Sequence, residues 1–221
     1  MASWITHLRI ADKLLEKFTI PSPMHFIVGN IAPDSGELVK GTSDTYLPPS
    51  SVSHWRIQDR KREEWAEVFR ETYLSTQQSP DATSFYLGYY VHLIVDYYWH
   101  FEIMVPTREK FATQYQTDYD TFRWDVRKDL FDLDCLYLME NSDFNAWSIF
   151  RKITEFPNAY LDYFSESAIE KRIADAIQYY ENYNEVVDRE LKYVTQNNAD
   201  KIIDYTTKEI IAKLESTFFR L

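Results

Sequence analysis

Apolar residues recur every three or four positions along most of the chain, which is the period of amphipathic helices. In the first segment, Thr6 can cap a helix whose apolar face begins at His7 and ends at Phe18. The pattern therefore predicts an all-α protein. The predicted helices cover residues 6–18, 24–31, 54–75, 80 to Pro106, 121–140, 167–195 and 198–219, with shorter helical pieces in 144–164.

The helix breakers are concentrated in one place. Pro33, Gly36, Gly41, Pro48 and Pro49 all lie between residues 32 and 53. A structureless loop of about 20 residues in a compact domain is usually either functional or disordered. This one begins near Asp34 and ends at His54. The chain contains no internal repeat and no clear interdomain linker, so we expect a single-domain multi-helix bundle over residues 1–221.

The segment from Phe85 to Met104, FYLGYYVHLIVDYYWHFEIM, is predicted to form one long apolar helix. His92, Asp96 and His100 interrupt it at intervals of four residues, so they form a polar column about 12 Å long on one face. Buried polar groups must be paired, and the segment has no Lys or Arg. Two interpretations remain open: a cation supplied from elsewhere, or a hydrogen-bonded network within the core.

The few histidines of the chain occupy unusual positions. His7 lies on an apolar stripe, His54 lies where the long loop meets a helix, and His92 and His100 belong to the apolar helix. His25 follows a proline-marked break, and we interpret it as structural. Imidazole together with carboxylate is the ligand set of zinc and related divalent ions, and helical bundles build such sites from several helices.

Composition narrows the possible functions. The net charge of −11 and the lack of a basic stripe argue against binding of nucleic-acid polymers or of anionic membranes. No apolar run is long enough to span a membrane, and the N-terminus does not resemble a signal peptide, so we expect a cytoplasmic protein. The single cysteine, Cys135, excludes an intrachain disulfide and fits a small core residue.

Four runs in the first hundred residues carry a family resemblance: WITHLRIAD, FIVGNIAPDSG, SVSHW and GYYVHLIVDYYWH. Together they resemble the zinc-dependent phospholipase C family, which is related to the fungal-type nucleases and has an all-helical fold around a cluster of zinc ions. The resemblance covers about residues 4–100. It is strongest in the Gly-x-x-Ala-Pro-Asp turn that ends at Asp34 and in the His-x3-Asp pair of His92 and Asp96.

The resemblance implies zinc as the cofactor, with one to three ions bound, and it implies a set of metal ligands. Asp96 would bridge two metals. The implied ligands are His7, Asp34, His54, His92, Asp96 and His100.

Two family ligands have no obvious counterpart. Secreted members use an amino-terminal tryptophan, whereas Trp4 is not terminal, and no histidine follows His100 to form the His-x3-Glu motif. We therefore expect one or two metal sites, with His100 and an acidic residue of the helix 121–140 as possible substitutes. The acidic candidates are Asp125, Asp129, Asp132 and Asp134.

A metal pair activates water and clamps the oxygens of a phosphoester. The resulting hypothesis is a metal-dependent phosphoric-ester hydrolase that acts on a phospholipid or a small phosphodiester or phosphomonoester, with Asp34 as general base. The alternative is a helical metal-binding protein without turnover, and a metal-free structural bundle is a third possibility. Gly88, one turn before His92, either leaves room for a ligand or the Asp34 loop, or marks close helix packing.

Overall fold

The computed structural model describes residues 1–42, 44–183 and 189–219, and most of them are helical. The prediction of an all-α fold is confirmed. A 3₁₀ turn spans Ala32–Asp34, and two short antiparallel strands, β1 (Glu37–Leu38) and β2 (Tyr46–Leu47), form a hairpin. The α-helices are α1 (Trp4–Lys17), α2 (Pro23–Gly29), α3 (Ser50–Ser53), α4 (Arg62–Tyr73), α5 (Pro80–Trp99), α6 (Val105–Lys110), α7 (Ala112–Thr117), α8 (Tyr119–Glu140), α9 (Asn145–Phe150), α10 (Ala168–Glu181) and α11 (Gln196–Thr217).

Helix α5 lies at the centre of the fold. Its side chains from Ser84 to Asp96 are buried all around the helix, as expected for a helix that is apolar on every face. Helices α1, α2, α4 and α11 pack around it. The polar groups of α5 consequently face other protein elements rather than water, and they need partners there.

The sequence predicts Ser79 as the N-cap of α5, with Pro80 at the first helical position, and it predicts that Pro106 ends or kinks the helix. Ser79 caps it by accepting a hydrogen bond from the backbone N–H of Ala82, and Pro80 is the first helical residue. At the other end Pro106 does not terminate the helix. A π-helical turn, His100–Met104, leads directly into α6, where Pro106 occupies a first-turn position that needs no N–H.

Two other predicted starts were wrong. Ser3, not Thr6, caps α1, because the hydroxyl oxygen of Ser3 accepts a hydrogen bond from the Thr6 N–H and the helix begins at Trp4. Helix α4 begins at Arg62, because residues 54–61 form turns in which Trp55 adopts a left-handed φ of 51°. The short α3 ends just before His54.

The predicted loop 32–53 is not structureless, since it contains the 3₁₀ turn, the hairpin and α3. The predicted helix 167–195 is shorter in the structure, where α10 ends at Glu181. Residues 184–188 of that prediction lie outside the described residues. Organisation of the whole chain as one domain stays a prediction.

Helices α2 and α5 approach each other at two glycines. A Cβ atom at Gly88 would lie 2.1 Å from the carbonyl oxygen of Phe26, and one at Gly29 would lie 2.1 Å from that of Phe85. Both distances are far below any normal contact, so the helices can pack this closely only without side chains at these positions. Gly88 therefore marks close helix packing rather than space for a ligand.

In the described part of the chain, none of the helices combines the length and the apolar character needed to cross a membrane.

Candidate metal centre

Four separate parts of the first hundred residues meet beside α5. Helix α1 supplies His7, the 3₁₀ turn supplies Asp34, the residue after α3 is His54, and α5 supplies His92 and Asp96. These side chains are buried, and the most exposed of them, Asp34, has only 10 % of its side-chain surface exposed. They form two overlapping groups whose ligand atoms lie within 4.8 Å of one another. These groups are His7, His92 and Asp96, and Asp34, His54 and His92.

The Asp96 carboxylate lies between the histidines. Its Oδ1 atom is 3.8 Å from Nε2 of His7, and its Oδ2 atom is 3.5 Å from Nε2 of His54 and 3.7 Å from Nε2 of His92. Oδ1 also accepts a 2.9 Å hydrogen bond from the backbone N–H of Ala2. Because its two oxygens face different imidazoles, Asp96 has the arrangement of a bridging carboxylate.

His92 is oriented by the end of helix α2. Its Nδ1 atom lies 2.8 Å from the carbonyl oxygen of Asn30, which can only accept, so Nδ1 carries the proton and donates it. The Nε2 atom of a neutral His92 then presents a lone pair towards Asp96, and two acceptors face each other. A cation placed between them resolves this conflict.

Several buried ring nitrogens support the same conclusion. Both nitrogens of His7 and the Nε2 atoms of His54 and His92 have no hydrogen-bond partner among the described residues. Buried polar atoms are normally paired, so these are candidate metal ligands. Two ligands at zinc–nitrogen and zinc–oxygen bond lengths on a tetrahedral ion lie about 3.3 Å apart. The observed nitrogen–oxygen separations of 3.4 to 3.8 Å are close to that value, so the residues fit zinc.

The protonation states suit a metal ion. Burial, together with the neighbouring His92, lowers the pKa of His7 to about 3, so its imidazole is neutral near pH 7. Burial alone raises the pKa of Asp96, but the amino terminus and the surrounding imidazoles outweigh it and bring that pKa down to about 2. Neutral imidazole and ionised carboxylate are the forms that bind metals.

A family model described as zinc dependent phospholipase C matches residues 6–210 of the chain. The chain belongs to the zinc-dependent phospholipase C family. The match extends well beyond the first hundred residues that carry the recognisable motifs. No curated protein and no protein of solved structure gives a significant match. The family and the two His/Asp groups together support zinc as the cofactor.

His100 is not part of either ligand group in the described structure of this phospholipase C family member. It lies one turn beyond Asp96, at the start of the π-helical turn, and is only partly buried. Burial and the nearby Arg62 and Arg108 lower its pKa to about 4. The other elements converge at the level of His92 and Asp96, so the regular four-residue spacing does not bring His100 to them. Its role as a ligand remains only a prediction.

The acidic residues of α8, proposed as substitute ligands, have other partners. Asp129 accepts hydrogen bonds from Arg189 and from the backbone N–H of Tyr193, at 2.7 and 2.6 Å. Asp132 pairs with Arg189 as well, and Asp125 accepts from the Tyr193 hydroxyl. None of the α8 carboxylates belongs to a candidate metal group among the described residues. These contacts join α8 to the segment before α11 instead.

Two supporting residues were not predicted from the sequence. Trp4 donates a 3.1 Å hydrogen bond from its indole N–H to Oδ2 of Asp34, and Asn30 orients His92 through its backbone carbonyl. The family resemblance concerns Trp4 only because secreted members use a terminal tryptophan as a ligand, and Trp4 is not terminal. A backbone carbonyl carries no residue-type signal, so only the packing of α2 on α5 reveals the contribution of Asn30.

Asp134 lies outside the two candidate metal-binding groups, and its raised pKa should make the stability of the fold depend on pH. It is buried and accepts hydrogen bonds from the hydroxyls of Ser3 and Tyr180, and burial raises its pKa from 3.8 to about 7. The folded state therefore holds this proton more tightly than the unfolded state. Its contribution to stability is complete below about pH 4 and is lost as the pH rises towards 7, by at most about 4 kcal/mol.

We expect Asp134→Asn to remove the fall in the free energy of unfolding that accompanies ionisation of Asp134, because an amide stays neutral at every pH tested. Urea unfolding at pH 5 and pH 8 measures the effect as a smaller drop in the free energy of unfolding than in the wild type. Asp143→Asn, at an exposed carboxylate, is the control and should retain the wild-type drop. Equal drops for wild type and Asp134→Asn would show that Asp134 is ionised at both pH values.

Proposed function

We propose that the protein is a zinc-dependent hydrolase of phosphoesters and that a phospholipid is its preferred substrate. One observation carries the proposal: in a member of the zinc-dependent phospholipase C family, His7, Asp34, His54 and His92 converge on Asp96, and ring nitrogens of the three histidines find no hydrogen-bond partner in the described part of the chain. A buried cluster of this kind is costly without cations, and it matches the chemistry that the family name describes.

In the proposed site, His7, His92 and Asp96 would hold one zinc ion, and Asp34 and His54, which form a second group with His92, would hold another. Bound zinc supplies a water molecule of lowered pKa and stabilises negative charge on the phosphoryl oxygens. The protein's own contribution is to fix the ligands. The Asn30 carbonyl sets the ring orientation of His92, and the Ala2 N–H holds one oxygen of Asp96. Such supporting contacts commonly change metal affinity by about 10- to 100-fold.

Asp34 is our candidate for the general base. Burial by itself raises its pKa, but the imidazoles of His54, His92 and His7 outweigh burial and hold the pKa well below its usual range. Its carboxylate is therefore ionised at neutral pH, which is the form that a base requires, and the low pKa makes it a weak base. Trp4 fixes Oδ2, which leaves Oδ1, 3.4 Å from Nε2 of His54, as the atom that would receive the proton of an attacking water.

The hairpin favours a lipid substrate. The segment between Asp34 and His54 exposes Leu38, Tyr46 and Leu47, and Leu47 is 62 % exposed. Exposed apolar side chains on one short segment often mark a surface that contacts a partner or a membrane. Because both ends of this segment carry residues of the site, contact of the hairpin with a lipid surface would place that surface beside the proposed zinc ions.

Metal removal and replacement test the proposal. Protein stripped by a chelator should hydrolyse neither phospholipid vesicles nor the soluble diester p-nitrophenylphosphorylcholine, and one to two equivalents of zinc should restore turnover. A higher rate on vesicles than on the soluble diester would support the lipid preference. Protein that binds zinc, measured by elemental analysis, but hydrolyses no phosphoester would instead establish the metal-binding alternative.

A further inference from the structure

A cleft leads from the surface to the candidate metal centre. Its walls include Asp96 and His54 at the inner end and Arg56, Arg62 and Tyr97 around them. The cleft is narrow, because its interior holds only about 20 Å³, which is space for about one water molecule. A substrate group would therefore bind at the open mouth of the cleft, where the arginines lie, rather than inside it.

The cleft is lined by two arginines, Arg56 and Arg62. In the described part of the chain, Arg56 and Arg62 form no ion pair with a carboxylate within 4.0 Å, although the whole chain carries a net charge of −11. The nearby Arg60 and Arg70, which lie outside the cleft, pair with Glu64 and Glu67. Arg108, Arg123 and Arg127 also form no ion pair among the described residues, so what distinguishes the cleft is that two such arginines line it together with Asp96.

Further positive charge surrounds the same place. Burial lowers the pKa of the half-buried Arg62, and the positive charges of Arg56 and Arg108 lower it further. The negative charge of Asp96 acts in the opposite direction and raises this pKa. The guanidinium of Arg62 lies 5.4 Å from the centre of the Trp65 ring, which helps to hold its position. Like charges gathered beside a low-dielectric interior repel each other, and an anion between them relieves this repulsion.

Bound zinc would make the cleft more attractive to an anion. The negative charge of Asp96, which is also the central candidate ligand, favours the charged form of Arg62. When a metal takes the charge of Asp96, the cleft wall keeps its arginines and loses their nearest anion. A planar guanidinium is suited to bind phosphate or carboxylate through two hydrogen bonds.

We propose that Arg56 and Arg62 bind an anionic group that is carried by one of the two organic substituents of the scissile phosphate. The site would then select phosphoesters with a second negative charge over zwitterionic ones. This inference rests on the proposed function, since it assigns the substrate class of that same site. The shared chemistry is a phosphate or carboxylate close to the scissile phosphoester, whether in an anionic phospholipid headgroup or in a soluble ester.

Three p-nitrophenyl phosphodiesters of equal arm length, ending in phosphate, hydroxyl or trimethylammonium, separate this inference from the proposed function. We expect kcat/KM of the zinc-loaded protein to be highest for the phosphate arm. Arg62→Gln and Arg56→Gln should each lower that value about ten-fold or more, leave the hydroxyl-arm diester nearly unchanged and not lower the value for the trimethylammonium arm. Arg60→Gln, an exposed arginine with its own partner, is the matched control.

Binding without turnover gives an independent measurement. Calorimetric titration of the zinc-loaded protein should show ethylene bisphosphate binding at least about ten-fold more tightly than 2-hydroxyethyl phosphate, and Arg62→Gln should abolish the difference. Elemental analysis should give equal zinc content in all variants. Equal affinities in the wild type, or equal losses for all three arms, would overturn the inference while leaving hydrolysis intact. To separate the two natural sources, vesicles of anionic phospholipid are compared with the soluble phosphate-arm diester.

Discussion

Asp96→Asn should abolish zinc binding at the proposed centre and reduce phosphoester hydrolysis to below about 1 % of the wild-type rate. Both oxygens of Asp96 face candidate ligands, and the substitution keeps the shape of the side chain while removing its charge. Changes in groups that merely support ligands already cost about 10- to 100-fold in metal affinity, so the loss of a shared ligand should exceed about 100-fold.

The thermal shift on adding zinc measures this loss directly. At a zinc concentration of 100 times the wild-type Kd, binding stabilises the wild type by about 2.7 kcal/mol, and a 100-fold weaker site yields only about 0.4 kcal/mol. Asp81→Asn, an exposed aspartate in the first turn of the same helix, is the control and should keep the full shift. If Asp96→Asn retains the wild-type zinc content, Asp96 does not bridge the metals.

Gly88→Ala should destabilise the fold and weaken zinc binding together. Alanine improves helix propensity by about 1 kcal/mol, but its Cβ would lie 2.1 Å from the Phe26 carbonyl oxygen and 3.0 Å from the Asn30 nitrogen. Overpacking of this kind typically costs about 1 to 3 kcal/mol, and a clash with backbone cannot be relieved by a change of rotamer. We expect a net loss of about 2 kcal/mol in the free energy of unfolding.

The same substitution should weaken zinc binding about 10-fold or more, because moving α2 away from α5 removes the contact between the Asn30 carbonyl and His92. Denaturant unfolding and zinc titration measure the two effects. Gly36→Ala is the control, since its Cβ would lie 3.1 Å from its nearest neighbour, the Pro48 carbonyl oxygen. Similar small losses for both variants would show that α2 and α5 tolerate separation.

Helix positions were predicted best where the local chemistry is unambiguous. Ser79 followed by Pro80 marks a helix start because a hydroxyl cap and a residue without an N–H both suit the first turn. Thr6 is not the cap because the helix has already begun at Trp4, where the Ser3 hydroxyl accepts a hydrogen bond from the Thr6 N–H. Both residues have capping hydroxyls, and the choice depends on where Ser3 is held, which is through its hydrogen bond to Asp134 in a distant helix.

The candidate metal centre was also predicted in part from the sequence and decided in part by packing. Residues four apart on α5 were correctly expected on one face, and the motif resemblance pointed to His7, Asp34 and His54, which the structure brings to His92 and Asp96. His100 satisfies the same spacing and yet lies outside both groups. Sequence spacing specifies a face of a helix, whereas the level at which other elements cross that helix depends on packing.

The sequence by itself determined the all-helical class, because the apolar period and the scarcity of breakers leave no other regular structure to bury the aromatic residues. It also showed that the imidazoles and the carboxylate in an apolar helix require partners, since buried polar groups must be paired. Only the tertiary structure decided which of these groups meet and what faces the cleft. The contact of Asn30 with His92 joins residues that lie far apart in the chain, as does the cleft in which Arg62 lies beside Asp96. The energies of such contacts depend on distances that no local pattern encodes.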